Sequence, residues 1–260
     1  MDHHASPTPV ESLRTGDQKI FPAWGPFGTL AWSVLIAIVF LVAQLFILLI
    51  YFFPSRQLPR EEAKAAFMNL RFDGIFLSVC TFAALLVCTP LIMGIVKLKR
   101  GSNLKDYLAL RRPSLRQLLR WSLFTLAFCL LSDGIAYLLG QPILPDFMLK
   151  AYWTASPRWL LWLALVLAAP IIEEICFRGF IFKGIAASRL GSGGATIVTA
   201  ILWLAIHMQY DWYGVFVVFG LGLLLGTARA RTNSTLLTMW LHSLINLLAT
   251  AQAAFALWQT

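Results

Sequence analysis

The chain has 260 residues, of which 59% are apolar and only 13% are charged, and its mean hydropathy is +0.74. A soluble domain carries about 25% charged residues and a disordered chain is polar, so both classes are excluded. The net charge is +9. Because the basic residues lie at the ends of apolar segments, they indicate membrane topology and no nucleic-acid partner.

Seven segments are apolar enough to predict transmembrane helices, which need about 20 mainly apolar residues. They cover residues 29–53, 74–96, 121–139, 159–182, 195–210, 212–228 and 235–257. The predicted fold is therefore an all-α, polytopic membrane helix bundle with about seven, or alternatively eight, transmembrane helices. We divide it into an N-terminal tail (1–28), N-terminal membrane helices with interfacial segments (29–150) and a C-terminal helix bundle (151–260).

The basic residues predict the orientation of the bundle in the lipid bilayer. With a cytoplasmic N-terminus, 14 of the 21 lysines and arginines lie on the inner side and six on the outer side. This excess favours a cytoplasmic N-terminus by the positive-inside rule. Residues 61–72 and 103–120 have amphipathic patterns and are expected at the interface, with a break at Pro113. Short loops and the absence of eukaryotic targeting signals predict a multi-pass protein of a bacterial inner membrane.

Three charged residues lie within one predicted transmembrane helix. A charge at the centre of such a helix costs about 2.5–3.5 kcal/mol if it faces lipid, so these side chains must face protein or water. Glu174 and Arg178 are four residues apart and are expected to form an ion pair. Glu173 is rotated about 100° from Glu174 and can point into a different space. Pro170, one turn earlier, predicts a kink.

Two further predicted helices carry polar side chains at similar depth. His207 follows Trp203 by four residues, and His242 precedes Asn246 by four. At a rise of 1.5 Å per residue, we expect these groups and Glu173 in the middle of a hydrocarbon core about 30 Å thick. The sequence therefore predicts one wet cavity between three helices.

Such a cavity suits hydrolysis of an acyl or peptide bond. A carboxylate beside an imidazole can take a proton from water, and a second histidine with an asparagine can donate to an oxyanion. We expect no cofactor. The alternative is zinc, held by Glu173, His207 and His242, because two histidines and a glutamate are a known zinc ligand set. The HExxH motif of many zinc proteases does not occur in the chain.

Three short motifs together resemble those of the CPBP family, the CAAX prenyl proteases and bacteriocin-processing enzymes, also called the Abi family. The resemblance covers about residues 155–255 and rests on Glu173-Glu174-x-x-x-Arg178, Trp203-x-x-x-His207 and His242-x-x-x-Asn246. It implies a glutamate intramembrane endopeptidase. Trp203 is a departure, since the family usually has phenylalanine there.

The resemblance also implies roles for the individual residues. Glu173 and His207 would activate the water, His242 and Asn246 would form the oxyanion hole, and Glu174 and Arg178 would support them. The expected partner is a membrane-associated peptide or protein substrate, and a prenylated one is not expected in a bacterium. The alternative from another class is a non-catalytic membrane protein, such as a bacteriocin-immunity factor, a scaffold or a small transporter.

Overall fold

The computed structural model describes residues 22–259, and every regular element in this range is a helix. The helices are α1 (Gly25–Phe52), α2 (Arg60–Asn69), α3 (Gly74–Leu98), α4 (Leu104–Tyr107), α5 (Leu115–Leu138), α6 (Asp146–Thr154), α7 (Arg158–Ala186), α8 (Gly191–Ala205), α9 (Trp212–Thr232) and α10 (Thr235–Trp258). The predicted all-α helix bundle is confirmed. Most of the predicted tail, residues 1–21, lies outside the described residues, and α1 begins before the end of that tail.

Six of these helices are long and apolar enough to cross a membrane: α1, α3, α5, α7, α9 and α10. Helix α8 is also apolar but has only 15 residues. At 1.5 Å per residue it extends about 22 Å, which is less than the hydrocarbon core of about 30 Å. The chain is a multi-pass membrane protein, and the predicted fifth span is shorter than a full transmembrane helix.

The segments at the membrane edges differ in part from the prediction. The amphipathic segment 61–72 forms α2 and a following 3-10 turn. The segment 103–120 is not one broken interfacial helix, because α5 already begins at Leu115. Ser114 and Gln117 form a capping box there, in which each side chain pairs with the backbone of the other residue and so fixes the helix start. Helix α6, which follows Pro145, was not predicted.

Helix α7 lies at the centre of the bundle, in contact with α1, α3, α8, α9 and α10. The outer helices α1 and α5 instead expose many large apolar side chains, such as Leu30, Phe46 and Leu130. Such exposure suits a lipid-facing surface, since a soluble protein rarely exposes large apolar patches. Glu174 and Arg178, in the middle of α7, are fully buried in the interior of the bundle, and Glu173 beside them is largely buried.

Small residues allow the helices around α7 to approach closely. The GxxxG spacing of Gly222 and Gly226 predicts a close helix contact, and the structure confirms it. A Cβ atom at Gly222 would lie 3.0 Å from the Cβ of Ala200, and one at Gly226 would lie 2.8 Å from Cγ2 of Thr196. Helices α8 and α9 therefore pack backbone to backbone, which holds the end of α8 beside α7.

Candidate active site

Helix α7 is irregular on both sides of its two glutamates. Residues Ala164–Ala168 and Ile175–Ile181 form π-helical turns, and the segment Ala169–Glu174 between them is α-helical. Pro170 lies at the start of this α-helical segment and has no N–H to bond a carbonyl one turn earlier. The kink at Pro170 stays a prediction. The segment that contains Pro170 is flanked by π turns, which are common at functional sites. Glu173 and Glu174 thus lie at the end of the α-helical segment, directly before the second π turn.

Glu174 is the centre of a fully buried polar cluster. Its Oε1 accepts a hydrogen bond from Nη1 of Arg178 at 2.8 Å, and both side chains have no exposed surface. The same oxygen lies 3.0 Å from Nδ1 of His242. Arg178 also donates from Nη2 to the carbonyl of Gly222 on α9. The predicted ion pair is confirmed, and it connects α7 to α9 and α10.

Glu173 has different surroundings from its neighbour. About 20% of its side chain is exposed, and its Oε2 accepts a hydrogen bond of 2.5 Å from the indole Nε1 of Trp203. Nε2 of His242 lies 4.0 Å from the same oxygen. This distance is too long for a direct hydrogen bond, but one bridging water can span it. The two adjacent glutamates therefore differ in their surroundings. Glu174 is buried within the bundle, whereas Glu173 faces a cavity.

His207 lies beyond the end of α8, and its predicted place inside a helix of residues 195–210 is wrong. The helix ends at Ala205, and His207 follows in a turn. This turn leads to Asp211, which caps the start of α9 by accepting a hydrogen bond from the N–H of Gly214. Nδ1 of His207 donates to the carbonyl of Trp203 at 2.8 Å, since a carbonyl can only accept. In the neutral ring Nε2 then keeps a free lone pair, so His207 can still act as a base.

Tyr210 is a residue of this site that the sequence analysis missed. Its ring centre lies 6.0 Å from that of His207, and it also packs against Phe147. Burial raises the pKa of its phenol to about 12, and the negative charge of Glu173 contributes to the increase. The signal in the sequence was weak, because Tyr210 belongs to a turn whose path no helical periodicity predicts.

His242 and Asn246 lie on the same face of α10, as their spacing predicts. The Glu174 carboxylate only accepts, so Nδ1 of His242 carries the proton that they share. Nδ2 of Asn246 donates one N–H to the carbonyl of Leu165, in the first π turn of α7, at 2.7 Å. Its second N–H can serve another acceptor. The role of the Leu165 carbonyl could not be predicted, because it is a backbone group exposed by an irregular turn.

One cavity connects the candidate residues, and the predicted shared cavity is thus present. It has a volume of about 1280 Å³ and is lined mainly by apolar side chains. The polar side chains in its wall include those of Glu173, Trp203, His207, Tyr210, His242 and Asn246. Glu174 and Arg178 lie behind this wall, where they hold His242. The cavity can therefore take an apolar substrate with one polar group at the glutamate.

The zinc alternative can be compared with the arrangement of donors in the cavity. Among residues 22–259, no group of three or more histidine, cysteine, aspartate or glutamate side chains is arranged to hold a metal ion. Nδ1 of each histidine is bonded within the protein, which leaves Nε2 as the nitrogen that could bind a metal, and Oε2 of Glu173 is bonded to Trp203. Zinc requires three or four ligand atoms at about 2.0–2.2 Å from one point.

Comparison with known proteins identifies the same part of the chain. Residues 154–248 match the family model described as type II CAAX prenyl endopeptidase Rce1-like. No curated protein and no solved structure matched the chain. The matched residues contain all six candidate residues and extend from α6 to the middle of α10. Residues 154–248 are therefore similar to the CPBP, or CAAX protease, family of membrane proteins.

Proposed function

We propose that the protein is an intramembrane endopeptidase that hydrolyses a peptide bond of a membrane-associated substrate. The observation that carries the proposal is that two adjacent glutamates have different surroundings. Glu174 is fully buried with two cationic or polar partners, whereas Glu173 opens to a cavity beside two histidines. A bundle that needed only a structural ion pair would have no use for the second carboxylate, which is costly inside a membrane.

Glu173 and His207 act on the attacking water in this proposal. The Glu173 carboxylate takes a proton from the water while the water oxygen bonds to the scissile carbonyl carbon. The carbonyl becomes an oxyanion. When the C–N bond breaks, the proton passes from Glu173 to the leaving nitrogen, which gives a carboxylic acid and an amine. The acid then passes its proton to the amine, so the released products are a carboxylate and an ammonium group. His207 orients the water through its free Nε2 lone pair, since Nδ1 is fixed on the Trp203 carbonyl.

His242 and Asn246 stabilise the oxyanion. Asn246 has one N–H left after its bond to the Leu165 carbonyl. His242 donates from Nε2 when its ring carries both protons, and the Glu174 carboxylate 3.0 Å from Nδ1 supplies the counter-charge. Loss of one such donor typically costs about 10²–10³ in kcat. Glu174 and Arg178 therefore act through His242 as positioning residues.

The substrate enters as an extended or unwound segment with apolar side chains. The apolar wall of the cavity favours a peptide that is already associated with the bilayer. The family description names prenylated CAAX substrates, so two peptides of the same sequence, one prenylated and one not, distinguish the substrate class. We expect the lipid bilayer to be a required partner, and cleavage to depend on reconstitution of the protein into vesicles.

The test is cleavage of such peptides by the purified protein in liposomes. Glu173→Gln removes the base but keeps the size and the hydrogen bond to Trp203, and we expect it to abolish cleavage. Glu62→Gln, on the exposed surface of α2, is the matched control and should leave cleavage unchanged. His207→Ala should lower kcat by about 10²–10⁴. Full activity of both Glu173→Gln and His207→Ala would contradict the proposal.

The two alternatives give different results in the same preparation. A zinc protease would contain stoichiometric metal, lose activity on chelation and regain it with zinc. We expect cleavage to survive chelation. A non-catalytic transporter or immunity protein would cleave no peptide, and a solute flux that persists in the Glu173→Gln variant would support that class.

A further inference from the structure

We infer that Trp203 is a positioning residue of this site, and that its indole N–H orients the Glu173 carboxylate for proton transfer. The inference rests on the proposed function and extends it to a residue with no ionisable group. The indole Nε1 has one N–H and can only donate, and it donates to Oε2 of Glu173 at 2.5 Å. A hydrogen bond to a charged acceptor is shorter and stronger than one between neutral groups.

Trp203 contacts Arg178 and both histidines of the site as well as Glu173. The Arg178 guanidinium lies 4.7 Å from its ring centre, in a cation–π arrangement. The ring centre of His207 lies 4.8 Å away, and that of His242 lies 5.3 Å away at nearly a right angle. Only 3% of the residue is exposed, so its ring is packed against protein on most sides. The indole, on α8, therefore contacts side chains of both α7 and α10.

The hydrogen bond assigns different tasks to the two oxygens of Glu173. Oε2 is held by the indole N–H and is the oxygen nearest to Nε2 of His242. Oε1 is then directed to the water that it must deprotonate. Without the donor, the carboxylate can rotate about its last side-chain torsion, which is a broad and weakly restricted one. A misplacement of about 1 Å at a reacting group can cost about a hundredfold in rate.

The test must distinguish the effect of losing the indole N–H from the effect of losing the volume of the ring. Replacing Trp203 with benzothienylalanine puts sulfur in place of the N–H and keeps the two fused rings and their packing. Trp203→Phe is the simpler variant and removes both the donor and part of the ring. Trp121→Phe is the matched control, because Trp121 is also buried, its Nε1 has no partner, and it does not line the cavity.

We expect both Trp203 variants to lower kcat about ten- to a hundredfold, with KM changed less than twofold. The control should keep both constants. A purely structural role would lower folding stability and raise KM, and the benzothienyl variant would then retain the kcat of the unmodified protein. Unchanged kcat in the benzothienyl variant would overturn the inference.

A second readout does not depend on cleavage. In protein labelled with ¹⁵N in its indole groups, the Trp203 signal is assigned by its loss in Trp203→Phe. We expect its N–H proton far downfield, and shifted upfield in Glu173→Ala but not in Glu62→Ala. An unshifted signal would overturn the contact itself. If the unmodified protein cleaves nothing while the signal shifts, the proposed function fails and the contact stands.

Discussion

The buried cluster of Glu174, Arg178 and His242 gives the sharpest test of how the site is held together. In Glu174→Gln the side chain keeps its size but loses its charge, so the fully buried Arg178 guanidinium is left without a counter-ion. Removal of one partner of a buried ion pair costs about 3–5 kcal/mol, because the remaining charge stays out of water. Nε of Arg178 already lacks a partner, and the other acceptor of Arg178, the Gly222 carbonyl, is neutral and supplies no counter-charge.

The expected loss can be measured as a change in the free energy of unfolding. At about 2–4 °C per kcal/mol for a chain of this size, the melting temperature in detergent should fall by about 6–20 °C. Glu62→Gln should change stability by less than about 0.5 kcal/mol, because that side chain is exposed.

The double variant Glu174→Gln/Arg178→Met shows whether the effects of the two substitutions on the free energy of unfolding are coupled. Because it removes both charges, we expect it to be less destabilised than the sum of the single variants by at least about 2 kcal/mol. Additive effects, or a loss below about 1 kcal/mol in Glu174→Gln, would refute the ion-pair account.

Other predictions test the packing and the oxyanion site. Gly184→Ala should destabilise the protein by about 1–3 kcal/mol, because the new Cβ would overlap the side chain of Thr29 on α1, and thermal unfolding measures this loss. Gly94→Ala adds its methyl group to open space and should not destabilise. Asn246→Leu should lower kcat about 10²–10³-fold, because it removes a donor to the oxyanion. It should also lower stability by about 1–3 kcal/mol, because the Leu165 carbonyl loses its donor. Cleavage at the rate of the unmodified protein would contradict this role.

The overall fold could be predicted because hydropathy and residue spacing carry most of the information on a membrane bundle. The ion pair of Glu174 and Arg178 follows from their separation by one helical turn, and the close contact at Gly222 and Gly226 follows from the absence of side chains. The shared cavity follows from the cost of polar groups in lipid. Each of these features depends on local spacing or on burial, which the sequence displays directly.

The features that could not be predicted depend on irregular backbone and on contacts between distant residues. Periodicity continues α8 to residue 210, but the cap at Asp211 ends it early and places His207 in a turn. The π turns of α7 leave no pattern in the sequence. The bond from Trp203 to Glu173 joins two helices 30 residues apart, and no spacing rule predicts which rotamer brings them together.

The most direct test of the central claim is the identification of new protein ends formed in the membrane. Membranes from cells that produce only the Glu173→Gln variant should accumulate uncleaved substrate. Addition of liposomes with the unmodified protein, in water enriched in ¹⁸O, should then create new N-termini, and one ¹⁸O atom should enter each matching new C-terminal carboxylate. Liposomes with Glu173→Gln should create none. If the two preparations yield the same protein ends, Glu173 does not activate water for peptide hydrolysis.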